Sequence, residues 1–225
     1  MQRRQEEHDG VSKAKQVLGE VLSALNLSRV LRAAPHPDGD LAREATRATG
    51  GFELRWPVGS YDVDWAHPYL RIGVLLLPPK AFVQGPEEAG DQPREEAGAA
   101  LLLAPSRLRV HHLLQAHSWR LVLLRAAVID TALVPYSQDP QLFNQQLQAR
   151  ASRANAVHML EEKSMLRKLR HLQAASGEDA QAAEKFAEGL VSQLERQLDV
   201  IFPGAVLPRS TWSDQPDLAD APPKG

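Results

Sequence analysis

At 225 residues the chain has room for one domain with extensions or for two small ones. Apolar residues make up 43% and charged ones 24%, a globular balance, and a formal net charge of −2 excludes a nucleic-acid footprint spread over the whole molecule. The absence of cysteine excludes a disulfide framework and thiolate metal sites, and it fits a reducing compartment.

The first ten residues, MQRRQEEHDG, mix Arg with Glu and Asp, whereas transit peptides are poor in acids. Two readings stay open: a cytosolic chain, or one whose Met1 is not the start of the precursor. Val17, Leu18, Val21, Leu22, Leu25 and Leu31 recur at spacings of three and four, predicting an amphipathic helix over 11–33 with a break near Asn26–Ser28. Pro35, Pro37 and Asp38–Gly39 then predict a turn, and 41–48 a short second helix.

Residues 52–56 alternate as a lead strand. Tyr61, Val63 and Trp65 alternate with Asp62, Asp64 and Ala66, predicting a strand with one apolar face and one face of carboxylates. After the turn at His67–Pro68, LRIGVLLL (70–77) is continuous enough to be a central strand buried on both sides. Glu87, Glu88, Asp91, Glu95 and Glu96 make 85–100 an acidic loop. Ser106 is a candidate N-cap for a helix over 106–117, and a strand over 119–125 follows. Beyond Pro135 the pattern predicts two long helices, 139–173 and 178–201, parted by Ser176–Gly177 and closed by Pro203–Gly204. The expected division is an N-terminal helical extension (1–50), an α/β core (51–135), a helical hairpin (136–204) and an extended tail (205–225). No apolar run is long enough for a membrane-spanning helix, so no membrane span is expected.

The central segment resembles the RAP domain, a module of organellar RNA-binding proteins. Tyr61-Asp62-Val63-Asp64 is similar to the family's first strand, with Asp64 at its acid. Ile72 to Pro79, followed by Phe82, is similar to the second strand. Arg107, Arg109, Leu113 and Leu114 match the basic helix, and Ser118-Trp119-Arg120-Leu121-Val122 matches the Gly-Trp strand with Ser in place of Gly. The likeness covers roughly residues 52–133, under half of the chain. It implies a small mixed sheet with flanking helices, related to nucleases of the PD-(D/E)xK type, and an organellar RNA partner. Leu75 and Leu77 stand where the family carries Glu and Asp. Leucine cannot ligate a hard cation, and Asp64 alone is no Mg²⁺ site, so the implied fold comes without cleavage chemistry.

Asp62 and Asp64 read either as the remnant of a ligand pair or, preferably, as a solvated strand face. His111, His112 and His117 share one predicted helix, but none of them is four residues from another, so no zinc site is expected. The basic signal is stronger. Residues 150–171 hold Arg150, Arg153, Lys163, Arg167, Lys168 and Arg170 against Glu161 and Glu162. Lys163, Arg167 and Arg170 fall at steps of four and three, on one helical face suited to a phosphate backbone. The competing reading pairs that face with Glu184, Glu188, Glu195 and Asp199. Arg107, Arg109, Arg120 and Arg125 form a second basic set. Aromatics at 5% are too few for base-by-base stacking. Leu142, Phe143, Leu147, Ala151, Ala154, Val157, Leu160, Leu166 and Leu169 make an apolar stripe expected to exceed what the chain can cover, pointing to neighbouring protein subunits.

The sequence thus leads to a non-catalytic RNA-binding or scaffolding protein with no cofactor and no metal, its candidate contacts being Arg107, Arg109, Arg120, Arg125, Lys163, Arg167, Lys168 and Arg170. The resemblance implies a mitochondrial ribonucleoprotein, specifically a ribosomal subunit on rRNA; plastid and cytosol are the alternatives. Two rival functions stand beside it. One is an organellar endonuclease or processing factor recruiting Glu53; the other is a structural subunit touching protein alone.

Overall fold

Three glycines and a run of β-branched, aromatic and leucine side chains over residues 51–77 set up a meander. In the computed structural model, which describes residues 15–34, 49–83, 101–102, 104–157, 159–174 and 180–209, strands β1 (Glu53–Val58), β2 (Tyr61–His67) and β3 (Ile72–Leu77) pair antiparallel in turn. A two-stranded ribbon, β4 (Phe82–Val83) with β5 (Leu101–Leu102), leads toward a helix, and the chain returns as β6 (Arg120–Arg125), parallel to β3. The sheet order is β1-β2-β3-β6. The predicted helix at 41–48, the acidic loop at 85–100 and most of the tail lie outside the described residues.

The helices are α1 (residues 15–24), α2 (Leu27–Ala33), α3 (Ala104–His111), α4 (Ala126–Gln138), α5 (Pro140–Val157), α6 (Met159–Ala174) and α7 (Ala180–Ile201). All six residues of β3 are buried, as a central strand between two covered faces requires. One face, with Ile72, Val74, Leu76, Val122 and Leu124, packs on Leu18, Leu22, Leu31, Ile129, Ala151, Leu190 and Leu194 from α1, α2, α4, α5 and α7. The other face, with Leu75, Leu77, Leu121 and Leu123, packs on Val110 of α3, Leu113 and Trp119. The result is three layers, mixed α/β, with α1 and α2 sharing one core with the C-terminal helices. Each leucine so enclosed stabilises the fold by roughly 1.5–3 kcal/mol.

The break between α1 and α2 falls at Leu25–Asn26 and is held from α5. Asn155 Oδ1 accepts from Asn26 N–H at 2.8 Å, and Asn155 Nδ2 donates to Ala24 O at 2.9 Å. Buried His67 closes the next seam: its Nδ1 accepts from Leu70 N–H at 3.3 Å, leaving Nε2–H to donate to Leu31 O at 3.0 Å. The outer edge of β6 is also covered. Arg125 N–H donates to Ala205 O and Leu207 N–H to Leu123 O, so the segment after α7 acts as a short fifth strand.

Several expected details change. Val63 and Trp65 do not share a face; Val63 joins the α3 side and Trp65 the α1 side. The switch falls beside Arg55, at φ +53°, which the flanking pairs Leu54↔Trp65 and Trp56↔Val63 place opposite Asp64. The ladder is irregular at that pair, and side-chain directions switch across it. The helix expected from Ser106 starts at Ala104, and a π turn over His112–Ala116 extends it. The long helix 139–173 is two helices. A helix that periodicity did not reveal, α4, runs through Pro135, where a boundary was read instead. The C-terminal apolar stripe is largely covered within the chain: Phe143, Ala151, Ala154 and Leu169 are buried, Leu147 and Leu166 are partly so, and Leu142 is exposed. The Val157 and Leu160 side chains lie outside the described residues; over the rest of the stripe the surplus that argued for protein neighbours is small.

Candidate nucleic-acid interface

Helix α6 buries Leu169 and Glu162 and leaves Lys163, Arg167, Lys168 and Arg170 exposed. With a rise of about 1.5 Å per residue, Lys163, Arg167 and Arg170 line up over roughly 10 Å. Among the described residues no ion pair or hydrogen bond engages any of the four. Glu162, at the start of the helix, does not neutralise them either, since it turns inward, where Arg29 reaches it at 3.5 Å.

The acidic helix offered as their partner is committed elsewhere. Arg120 holds Glu184 at 2.7 Å and Glu188 at 3.2 Å. Arg209 pairs with Glu188 and with Glu195, the latter at 2.9 Å. Asp199 Oδ1 accepts from Gly204 N–H at 3.0 Å. Burial works against the charge on Arg209, but hydrogen bonds and attraction from Glu195 and Glu188 outweigh it and raise its pKa. These links tie β6 and the segment after α7 onto helix α7, and they leave the α6 face without an acidic partner among the described residues.

The second basic set does not join the first. Helix α3, carrying Arg109, lies on the opposite face of the sheet from the helices that include α6. The Arg109 Nε is buried without a hydrogen-bond partner. Arg120 is occupied by its two glutamates. Arg125 donates through Nη2 to Gly204 O, and its Nε is buried. The Arg107 side chain lies outside the described residues. Of the seven candidate contacts whose side chains are described, the four on α6 make one open charged surface.

Asp64 is not on a solvated face. It is 8% exposed, accepts from Leu76 N–H at 2.8 Å and meets Lys15 Nζ at 2.8 Å. The β2–β3 ladder pairs Trp65 with Val74 and is not continued past them, so the carboxylate takes the Leu76 donor that a ladder bond would have satisfied. Lys15, on α1, supplies the opposite charge. Asp62, two residues earlier, is exposed, so the two acids do not converge. Leu75 and Leu77 are enclosed in the α3-side core. Among the described residues no group of three or more His, Asp or Glu is placed to hold a metal ion.

The histidines hold the feature that sequence reasoning missed. A spacing of five separates two side chains on an α-helix, but a π turn closes i→i+5 and stacks them. The centres of the His112 and His117 rings lie 5.1 Å apart, and that of Tyr61 lies 5.2 Å from His112. The signal in the sequence is faint: the helix must exit through Ser118 in a left-handed conformation, φ +53°, with its N–H on Leu114 O and Trp119 N–H on Leu113 O.

Compared with family models, with curated proteins and with solved structures, the chain matches none. No helix among the described residues is long and apolar enough to cross a membrane.

Proposed function

We propose that the chain is a non-catalytic RNA-binding or scaffolding subunit of an organellar ribonucleoprotein, a mitochondrial ribosomal protein on rRNA in its most specific form. The observation that carries this reading is the α6 face, four exposed cations whose natural intramolecular partners are used by Arg120, Arg209 and Gly204. A protein that leaves such a stripe unneutralised while its net charge is −2 has a local site for polyanions.

A RAP-type core is part of the proposal. Three features support it: the strand–strand–strand–helix–strand order with β6 parallel to β3, the burial of Trp119 against the α3 side, and the left-handed backbone of Ser118 at the position the family fills with Gly. Loss of cleavage belongs to it as well, because Asp64 is engaged by Lys15 and Leu76 and its neighbours on β3 are leucines. Recognition through the phosphate backbone suits a surface with basic but no aromatic side chains on its exposed arc.

The test is RNA binding by the purified chain as a function of salt. Three phosphates on Lys163, Arg167 and Arg170 give a slope of log K against log salt of about −2, from about −0.7 per phosphate on single strands. The double variant Arg167→Gln/Arg170→Gln flattens the slope by about 1.4. A slope unchanged by the double variant places the contact elsewhere. Binding absent altogether leaves the protein-only assembly subunit as the reading.

A further inference from the structure

We propose that Arg29 and Arg32 of α2 form a second row of cations beside Lys163, Arg167 and Arg170, and that the two rows together take double-stranded RNA across its minor groove. The inference rests on the RNA-binding reading of α6 and names the form of RNA that this surface accepts.

The placement follows from the contacts α6 makes with its neighbours. At about 3.6 residues per turn, a circuit of the helix meets Met165, Glu162, Gln173, Arg170, Lys163 and Arg167 in that order. Met165 faces α7, since its Cε lies 3.6 Å from where a Cβ on Gly189 would stand. Glu162 and Gln173 face α2: Arg29 Nη1 reaches Glu162 at 3.5 Å, and Gln173 Nε2 donates to Ala33 O at 3.1 Å. The basic row therefore comes next to α2, on the flank away from α7, while Lys168 falls toward the α7 side of the exposed arc.

Helix α2 matches that row. Its apolar Leu27, Val30 and Leu31 are buried, which turns Arg29 and Arg32, about one turn apart, to the outside. The Arg29 side chain is 71% exposed. Arg32 donates to Ser28 Oγ at 2.9 Å and meets no acid among the described residues. Glu162, turned inward, offsets one of the five charges, so the two rows leave this side of the molecule positive.

Packed helix axes lie about 8–10 Å apart, and the rows are separated by a similar distance. That spacing is held at both ends of α2, by Asn155 on Asn26 and by Gln173 on Ala33. A duplex fits such a rigid pair of rows for two reasons. One backbone follows one row, and a second row a helix-width away meets a second backbone. The wide, shallow minor groove of A-form RNA presents the sugar–phosphate edges of both strands to one surface. The other reason is stacking. Neither α2 nor α6 contains Phe, Tyr or Trp, whereas single-strand sites hold unstacked bases on aromatic rings. In a duplex the bases already stack on each other, so a surface of cations alone loses nothing.

The experiment is salt-dependent binding of the full chain, read by fluorescence anisotropy, to one RNA sequence as a single strand and as a duplex of about 16 base pairs. The DNA duplex of the same sequence is a third probe. The RNA duplex is expected to bind at least about tenfold tighter than the single strand. Its slope of log K against log salt is about −4 to −5, at about −0.9 per phosphate as for duplex DNA, against about −2 for the single strand. Arg29→Gln/Arg32→Gln flattens the duplex slope by about 1.8 and leaves the single-strand slope unchanged. Lys185→Gln/Arg196→Gln, which takes two exposed charges off α7, leaves both slopes unchanged. A single strand bound as tightly as the duplex, or a duplex slope indifferent to Arg29 and Arg32, overturns the inference while the RNA-binding reading stands. A DNA duplex bound as tightly as the RNA duplex overturns the choice of A-form RNA. Binding to neither form of RNA refutes both readings. The ratio of duplex to single-strand affinity is measured on the unaltered chain, so it decides the matter even if loss of Arg29 beside Glu162 unsettles the fold.

Discussion

Asp64 is the residue on which the structural and the catalytic readings diverge, and its removal separates them. Asp64→Ala leaves Leu76 N–H, in a residue 6% exposed, without an acceptor and removes the partner of Lys15. An orphaned buried donor costs about 1–3 kcal/mol, and a hydrogen bond to a charged acceptor lies at the upper end of the range for such bonds. The Lys15 contribution is smaller: its side chain is 30% exposed, can turn to water, and is discounted to below about 1 kcal/mol. The expected loss for Asp64→Ala is about 2–3 kcal/mol, or about 5–10 °C in Tm for a chain of this size. Asp64→Asn keeps an acceptor and loses about 1 kcal/mol, and Lys15→Met loses less than about 1 kcal/mol. Urea denaturation of the three variants, read by far-UV circular dichroism with equal m-values, gives the order. If Asp64→Ala stays within about 0.5 kcal/mol of the unaltered chain, the carboxylate does not hold β3 and the argument fails. A Tm raised by Mg²⁺ in the unaltered chain but not in Asp64→Ala would return Asp64 to the role of a metal ligand.

Two further outcomes follow from the backbone and from burial. Ser118→Gly relieves a left-handed residue, a gain of about 1–2 kcal/mol less the 0.5–1 kcal/mol that glycine costs in chain entropy, so a net stabilisation of about 0.5–1 kcal/mol is expected in thermal melts. A destabilised Ser118→Gly would mean that the Ser118 side chain itself matters at the exit from α3. Partial burial raises the pKa of Asp130, on α4, above the ordinary carboxylate value. The folded state therefore binds the proton more tightly than the unfolded state. Stability from this group is present at low pH and is lost as pH rises from about 4 through the raised folded pKa. Asp130→Asn removes that loss, so the variant's advantage should be small, present at pH 7 and absent at acid pH. An advantage that persists at acid pH would assign the effect to something other than titration.

Much of the scaffold is legible in the letters. Strands β3 and β6 are read from continuous apolar runs, because a strand with both faces covered has no place for charge, and β2 is read from its alternation of apolar and acidic residues. The break in the N-terminal helix shows at Asn26, where a short polar side chain interrupts the apolar repeat. The end of α7 shows at Pro203–Gly204, a pair that cannot continue a helix. Helix α4 is not legible, because Pro135 inside it looks like its end, and proline punctuation is only a tendency. The cations of α6 are legible as an aligned stripe, since spacing of three and four is a property of the chain alone.

Their availability is another matter. Nothing in the sequence says that Glu184 and Glu188 go to Arg120 rather than to α6, because pairing across 64 and 68 residues is settled only when β6 and α7 are brought together. Asp64 is polar in any pattern and becomes a buried acceptor only because the β2–β3 ladder ends at Trp65↔Val74 and leaves Leu76 N–H to it. His112 and His117 come together only because the last turn of the α3 segment widens. Helix and strand follow from local spacing, which covalent geometry fixes; contacts between distant charged or titratable groups depend on how the layers stack, and that is a property of the packed core.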